Sequence, residues 1–223
     1  MTYKLSPHSL NLYVECPRCF YETVSEKITR PSGPFPSLPS GMDLIIKKRF
    51  DELRKTGKLP RELSALDNVS LFKDEKLLKE WRNQRRGLMW IFEDENSLGG
   101  SLDEVLQTSD GKLIVMDNKT RGFPLKATPD YYKLQLDIYN LLLRKNGFET
   151  GDYSVLLFYY PKEFNQDGSV KFDNTIVKFP VDVENAEKTF RDAIHLLNNK
   201  KPRASKECKF CSWKRPVKDK RNT

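Results

Sequence analysis

The chain has 223 residues and a formal net charge of +8, with 38% hydrophobic, 11% aromatic and 31% charged residues. This length and composition are typical of a soluble globular protein and exclude a disulfide-stapled miniprotein or a disordered or fibrous chain. No apolar run approaches the roughly 20 residues of a membrane helix, and the first residues lack the apolar stretch of a secretory signal. We therefore expect one domain over residues 1–223, no membrane partner and a cytoplasmic location.

The positive charge is concentrated at the C-terminus. Residues 200–223 contain ten Lys or Arg and two Asp or Glu, whereas the rest of the chain contains 29 of each sign. A basic terminus of this kind either contacts the phosphates of a nucleic acid or forms a solvated tail. Charge alone leaves both interpretations open.

Periodicity and cap residues predict helices, and apolar alternation or unbroken apolar runs predict strands. The predicted elements in chain order are a helix over 7–27, a Pro-rich non-helical link over 31–39, a helix over 42–55, an irregular segment over 59–70, a helix over 74–85, strands over 88–93, 97–107 and 112–120, a helix over 130–146, strands over 153–160 and 175–181, and a helix over 183–198. A hairpin turn at 108–111 makes the first three strands an antiparallel meander. The predicted fold class is therefore α/β, with helical additions at the N-terminus and a C-terminal helix leading into a basic tail at 200–223.

The four cysteines form two C-x-x-C pairs, Cys16 with Cys19 and Cys208 with Cys211. In a cytosolic chain this spacing indicates metal binding more often than a disulfide, and four thiolates complete a zinc site or hold an iron–sulfur cluster. A redox dithiol and unrelated buried thiols are the alternatives. A shared site would join the first helix to the tail and close a very long loop, which is a structural role.

Two carboxylates and an amine converge on the predicted hairpin. Asp103 and Asp117 lie symmetrically about residue 110, so they are predicted neighbours across the strand ladder. Like charges opposed on adjacent strands are destabilising unless a cation lies between them. Lys119 shares a face with Asp117, because side chains alternate with a period of two. This set suits a divalent cation that activates water for attack on a phosphodiester, and ordinary solvated charges on an exposed hairpin are the alternative.

The helix after the hairpin adds a second polar pair. Gln135 and Tyr139 are spaced i and i+4, so they stack on one helix face and can reach the same cleft. An amide can orient water or bind a phosphate, and a phenol can donate to a phosphate oxygen. Lys133 and Asp137 on the same helix are interpreted as a solvated face.

These residues resemble the motifs of the PD-(D/E)xK nuclease superfamily, specifically its RecB-like branch, which includes the CRISPR-associated iron–sulfur exonucleases. Gly100-Ser-Leu-Asp103 is similar to the G-x-x-D strand of that family, Val115-Met-Asp117-Asn-Lys119-Thr120 to its D/E-x-K strand, and Gln135-Leu-Asp-Ile-Tyr139 to its Q-x-x-x-Y helix. The order helix, three strands, helix, strand is also similar to the restriction-endonuclease-like core, here over about residues 88–181. The motif resemblance covers residues 98–160.

The resemblance implies a metal-dependent DNA nuclease, and the catalytic residues it implies are Asp103, Asp117, Lys119, Gln135 and Tyr139. Asp103, Asp117 and the Asn118 carbonyl would bind Mg²⁺ or Mn²⁺, while Lys119 would activate water and stabilise the developing charge. The products would carry a 5′-phosphate, and exonuclease action on single-stranded DNA ends in repair, recombination or defence is the expected mode. A catalytically weak nucleic-acid-binding platform within a larger complex is the alternative.

The chain departs from the family pattern in two places. Many relatives carry a metal-binding His four residues after a Gly, but the position that follows Gly41 in this way is Ile45. Asp43, Glu93 and Glu95 are possible substitutes, although surface charge is the favoured interpretation for each.

The second departure is in the cysteines. Iron–sulfur relatives usually have one cysteine before the core and three after it, whereas this chain has two and two. The resemblance favours a [4Fe–4S] cluster, and the knuckle-like pairs leave zinc as the alternative.

An aromatic and basic segment surrounds the last cysteine. Lys209, Trp213, Lys214 and Arg215 are candidate nucleic-acid contacts, because unpaired bases stack on rings and phosphates bind cations. Packing of Phe210 and Trp213 around the metal is the alternative.

Overall fold

The computed structural model describes residues 2–33, 36–85, 87–127 and 130–213. Its helices and strands in chain order are β1 (Lys4–Leu5), α1 (Pro7–Glu15), α2 (Pro17–Val24), α3 (Ser37–Lys55), β2 (Val69–Leu71), α4 (Glu75–Trp81), β3 (Leu88–Phe92), β4 (Asn96–Gly100), β5 (Glu104–Thr108), β6 (Leu113–Thr120), α5 (Lys133–Lys145), β7 (Tyr153–Phe164), β8 (Val170–Pro180), α6 (Val183–Leu197) and α7 (Lys209–Trp213). Short 3₁₀ turns lie at Arg61–Leu63, Glu93–Glu95 and Asp130–Tyr132. Within the described ranges, no helix has the length and apolar character needed to cross a membrane.

Two β-sheets organise the fold. The larger sheet has the strand order β2-β5-β6-β7-β8, in which only the β6-β7 pair is parallel. Parallel neighbours require a long crossover connection, and here that connection contains α5. The smaller sheet has the order β1-β4-β3 and pairs the N-terminus of the chain with the middle of the sequence. The predicted α/β class is confirmed.

Both faces of the larger sheet are buried. One face contributes Val115 and Leu156 to a core shared with α1, α5 and α6. The opposite face contributes Ile114 and Met116 to a second core that includes Phe50 of α3. Because β6 is covered on both sides, it is an unbroken apolar run that ends in charged residues, and it carries those residues to the sheet edge.

The predicted strand over 97–107 is interrupted. Its first half, β4, belongs to the smaller sheet, and its second half, β5, belongs to the larger sheet. At the break, the backbone N–H of Leu102 donates to the carbonyl of Trp81 at 3.0 Å, so the chain leaves one ladder before it joins the next. Leu102 is itself fully buried, which explains why the apolar pattern continues through the break.

The predicted helix over 7–27 is two helices. Cys16 lies between them in an extended conformation, with φ −155° and ψ 102°. Proline disfavours the helical conformation at the residue before it and lacks the N–H of an interior helical bond, so Pro17 ends α1 and starts α2. Cys16 therefore occupies the N-cap of α2, and Cys19 lies in the first turn of that helix.

Other boundaries differ from prediction by a few residues. Helix α3 begins at Ser37 inside the predicted Pro-rich link, because Pro39 lies in its first turn, where a missing N–H costs little. Strand β2 forms in the segment predicted to be irregular and pairs with β5 at the edge of the larger sheet. Strands β7 and β8 extend past the predicted ends as a long hairpin whose turn contains Gly168 at φ 81°.

Candidate active site and cysteine cluster

The predicted register of the hairpin is confirmed. Glu104 pairs with Met116 and Val105 pairs with Val115, which is the register that sets Asp103 opposite Asp117. The turn contains Gly111 at φ 87°, a conformation that glycine adopts without steric cost. The two carboxylates therefore meet at the open end of the β5-β6 ladder.

Asp117 is a buried carboxylate, with 2% of its surface exposed. Its Oδ2 lies 2.5 Å from the Lys119 ammonium, and its Oδ1 accepts a 3.4 Å hydrogen bond from Gln135. Burial raises the pKa of Asp117 to about 7; Lys119 opposes the shift and the charge of Asp103 adds to it. A bound cation favours the ionised carboxylate and so lowers the free-energy cost of burying Asp117. Carboxylate oxygens are ligands that Mg²⁺ and Mn²⁺ prefer. The residues present therefore fit a divalent cation.

Helix α5 places Gln135 and Tyr139 against these carboxylates, as predicted. Gln135 Nε2 donates to the Tyr139 hydroxyl at 2.8 Å and also to Asp117. The ring of Tyr139 packs on Gly100, where an added Cβ would lie 2.9 Å from Tyr139 Cε1. The glycine of the G-x-x-D motif thus makes room for the tyrosine of the Q-x-x-x-Y motif.

Asn118 lies between Asp117 and Lys119, and its side chain therefore leaves the opposite face of β6. That side chain is 8% exposed, and its Oδ1 and Nδ2 have no hydrogen-bond partner among the described residues. The proposed metal ligand is the backbone carbonyl, which stays a prediction.

Helix α3 adds a cation that the sequence did not single out as a site residue. Lys47 Nζ lies 2.7 Å from Asp43 Oδ2 and 2.7 Å from Asp103 Oδ1. Ile45, where the spacing from Gly41 would place the family His, points to solvent with 65% exposure. Asp43 thus reaches the site only through Lys47, and the i, i+4 spacing of these two residues was the available signal.

The remaining acidic candidates lie elsewhere. Glu93 and Glu95 are exposed on a 3₁₀ turn, and Glu93 contacts Arg191 at 3.6 Å. They do not contribute to the described site.

A buried ion network holds the backbone of Asp103. Glu104 accepts bonds from Arg54 at 2.6 and 2.7 Å and from Arg82 at 2.9 Å. Arg82 also donates to the carbonyl of Asp103 at 2.8 Å and makes two 2.9 Å bonds with Asp51. Burial raises the pKa of Glu104, and the two guanidinium groups oppose that shift. No sequence pattern indicated that Arg82, the C-cap of α4, would reach the site.

The interpretation of Asp137 as part of a solvated face is wrong. Asp137 is 1% exposed and accepts a 2.6 Å bond from Lys133 and a 2.9 Å bond from the backbone N–H of Asp182. Because Asp182 is the N-cap of α6, this contact ties α5 to the start of α6.

The four cysteines lie together, as the paired spacing predicted. All are buried, and their sulfur atoms lie within 4.8 Å of one another. Cys19 Sγ is 3.5 Å from Cys211 Sγ and 3.6 Å from Cys208 Sγ, and Cys16 Sγ is 3.8 Å from Cys211 Sγ. Arg30 Nη2 lies 3.5 Å from Cys208 Sγ and places a positive charge beside the thiolates. The cluster therefore fits a bound metal that joins α2 to α7.

The aromatic residues near the cluster differ in their surroundings. Trp213 is 84% exposed, so the alternative in which it packs around the metal is wrong. Phe210 is 36% exposed, and the Arg30 guanidinium stacks over its ring at 4.4 Å from the centroid. Lys209 is exposed at the start of α7. The other two candidate contacts, Lys214 and Arg215, lie outside the described residues.

Comparison with known proteins supports the motif interpretation. The family model of the PD-(D/E)XK nuclease superfamily matches residues 4–215. Among 18 solved chains with a similar structure is one described as "Crystal structure of SSO0001", with a TM-score of 0.49 and 18% sequence identity, covering 96% of this chain and 87% of that chain. A search of curated proteins finds no significant match. The family match includes the hairpin carboxylates, helix α5 and both cysteine pairs, and on this evidence the chain belongs to the PD-(D/E)XK nuclease superfamily.

Proposed function

We propose that the protein is a Mg²⁺- or Mn²⁺-dependent deoxyribonuclease that acts as an exonuclease on single-stranded ends. Membership of the superfamily implies the coarser function, a metal-dependent nuclease. One observation carries the proposal: Asp103 and Asp117 meet at one end of a ladder, with the Lys119 ammonium 2.5 Å from Asp117.

Each group at this site has a separate chemical task. Asp103 and Asp117 hold the divalent cation, which when bound supplies Lewis-acid polarisation of the phosphodiester and a more acidic water. Lys119 orients the attacking water and stabilises negative charge on the phosphoryl oxygens. Gln135 donates to both Tyr139 and Asp117, so its amide is fixed in position beside the carboxylates.

The finer assignments rest on the motif resemblance and on surface chemistry. The Q-x-x-x-Y helix supports placement in the RecB-like branch. The exposed Trp213 ring supports a substrate with unpaired bases, because only unpaired bases present their faces for stacking. A role in DNA repair, recombination or defence and a cytoplasmic location complete the proposal.

Cleavage of end-labelled DNA tests this function. Single-stranded, double-stranded and circular single-stranded DNA are incubated with Mg²⁺ or Mn²⁺, and RNA of the same sequence is a further substrate. Metal-dependent shortening of linear single strands, with circles left intact, is the expected result. Lys119→Ala should lower the rate by roughly 10²- to 10⁴-fold, which is typical of the loss of a group that assists proton transfer.

The matched control is Lys112→Ala, since Lys112 lies on the same hairpin and pairs with Asp110 away from the carboxylates. This control should cleave at the wild-type rate. Cleavage by Lys119→Ala at the wild-type rate would refute the assigned site, and cleavage of circles would replace the exonuclease mode with an endonuclease.

A second function is favoured by a specific contact. Lys47 contacts Asp103 at 2.7 Å, and the family His is replaced by the solvent-facing Ile45. An ammonium at this position competes with a divalent cation for Asp103, which supports a catalytically weak nucleic-acid-binding platform. Tight DNA binding without cleavage by the metal-replete wild type would establish this alternative.

The sulfur spacing supports a single tetrahedral ion at the cysteine cluster. Bonds of about 2.3 Å to one zinc ion place four thiolate sulfurs about 3.8 Å apart; three of the sulfur pairs lie 3.5, 3.6 and 3.8 Å apart, and all four sulfurs lie within 4.8 Å of one another. A [4Fe–4S] cluster binds each thiolate to a different iron, so its ligands stand farther apart by the width of the metal core. We therefore propose zinc in place of the cluster that the resemblance favoured. Metal analysis of anaerobically purified protein tests this: one zinc per chain supports it, and iron with sulfide and visible absorption overturns it.

A further inference from the structure

Two adjoining cavities lie beside the residues that contact the carboxylate site and beside those that contact the cysteine cluster. The first, of about 560 Å³, is lined at one end by Gln135 and Tyr139. The second, of about 490 Å³, is lined at its far end by Arg30 and Phe210. His8 and Asn11 of α1 line both cavities, so the two adjoin along this helix, and together they are called the groove. The groove links the catalytic face to the region where α7 meets α2.

The charge of this groove suits a polyanion. Lys4 and Arg85 line the first cavity, and no Asp or Glu is among its lining residues in the described part of the chain. Glu15 lines the second cavity, but its carboxylate is paired with Arg30 at 2.7 Å. Phosphate groups following the groove would meet cations in the first cavity and a neutral ion pair in the second.

The far end of the groove offers flat apolar surfaces. Arg30 stacks over the Phe210 ring, which lines the second cavity, and Trp213 lies outside the cavity lining, three residues further along α7, with 84% of its surface in solvent. An exposed indole offers a flat face on which a base can stack. In a duplex the base faces are stacked on each other, so these rings favour an unpaired strand.

We propose that a single strand bound at the carboxylates runs through this groove, passes His8 and Asn11, and stacks its distal bases on the rings of α7. This inference rests on the proposed nuclease function, since it describes where the strand of that substrate lies. The cysteine cluster then has a second role. Because it holds α7 against α2, it positions the residues at the distal end of the substrate path.

Binding of a fluorescent single strand tests the path. Affinity is measured by anisotropy in the Lys119→Ala background, so that the strand stays intact. Trp213→Ala should weaken binding roughly 5- to 100-fold, the effect expected for the loss of one stacked base. Phe164→Ala is the matched control, because Phe164 is 76% exposed at the end of β7, away from the groove.

Charge is tested separately through the salt dependence. Arg85→Ala should lower the slope of log K against log salt concentration by about 0.7, the value for one phosphate contact on a single strand. Arg61→Ala is its control, since Arg61 lines a separate cavity with Tyr159 on the α3 side of the sheet. His8→Glu, at the junction of the two cavities, should also weaken binding, whereas His195→Glu on α6 should not.

The possible results distinguish a failure of the proposed strand path from a failure of the proposed nuclease function. If Trp213→Ala, Arg85→Ala and His8→Glu bind the strand as their controls do, the path is overturned, whether or not the wild type cleaves. A loss of affinity in Arg61→Ala instead would place the strand on the α3 side of the sheet and also overturn it. Equal weakening of duplex binding by Trp213→Ala would refute the single-strand assignment. Cleavage by Lys119→Ala would refute the nuclease site while leaving the binding result to stand by itself.

Discussion

The carboxylate site and the cysteine cluster both gather metal-binding side chains, but they are assembled over very different distances in the sequence. Asp103 and Asp117 meet across a single tight hairpin. The cysteine cluster brings together residues 189 to 195 positions apart. Loop closure over such a length is entropically unfavourable in the unfolded chain, and a metal bound at the junction offsets this cost.

The two sites also differ in what they contribute to folding. Asp117 is buried beside a second carboxylate, and burial raises its pKa to about 7, so the ionised form opposes folding. The cysteines close the N-terminal helices against the C-terminal helix. The carboxylate site therefore lowers the stability of the fold, whereas the cysteine cluster stabilises the packing of the terminal helices.

The largest expected effect is on the cysteine cluster. Cys208→Ser should release the metal and separate α7 from α2, because structural zinc contributes about 10–16 kcal/mol to the folding of small zinc domains. Metal content and thermal unfolding are the measurements. A variant with full metal content and wild-type stability would contradict the cluster.

Asp117→Asn should lower cleavage by roughly 10²- to 10⁴-fold and, without added divalent cations, raise the melting temperature. The unfolded carboxyl titrates near pH 3.9, whereas the folded carboxyl of Asp117 has a pKa of about 7. The folded state therefore keeps the proton to a higher pH than the unfolded state does, and wild-type stability falls as pH rises from about 4 to about 7. The advantage of Asp117→Asn should grow over this window, and a pH-independent difference would contradict a buried titrating carboxyl.

The next largest effect is expected from the ion network that holds the backbone of Asp103. Glu104→Ala leaves Arg54 and Arg82 without their shared carboxylate, so unfolding free energy should fall by about 3–5 kcal/mol. The control Glu163→Ala removes an exposed ion pair with Lys171 and should change the unfolding free energy by less than about 1 kcal/mol. Equal effects in chemical denaturation would show that the network does not stabilise the hairpin.

The smallest effect concerns the packing of the two motifs. Gly100→Ala places a Cβ 2.9 Å from the Tyr139 ring and should cost about 1–3 kcal/mol while displacing Tyr139 from Gln135 and slowing cleavage. The neighbouring Gly99→Ala meets only the Leu88 carbonyl at 3.5 Å, an ordinary contact, and should be close to wild type. If the two variants behave alike, the close approach has no functional consequence.

Most of the carboxylate site was predictable because its geometry is local. The turn at Gly111 and the symmetric positions of Asp103 and Asp117 determine the register, and the period of two determines that Lys119 shares the face of Asp117. The i, i+4 spacing likewise placed Gln135 with Tyr139. The strand break before Asp103 was not predictable, since Leu102 is buried and preserves the apolar alternation.

The α/β order, the hairpin register, the paired cysteines and the motif residues could all be predicted, because each depends on contacts between near neighbours or on spacing. Other features depend on tertiary packing: Lys47 of α3 contacts Asp103, Arg82 supports the Asp103 backbone, and His8 lies where two cavities adjoin. Those contacts join elements remote in sequence, and which side chains meet there depends on how the buried faces pack, a property that no local pattern records.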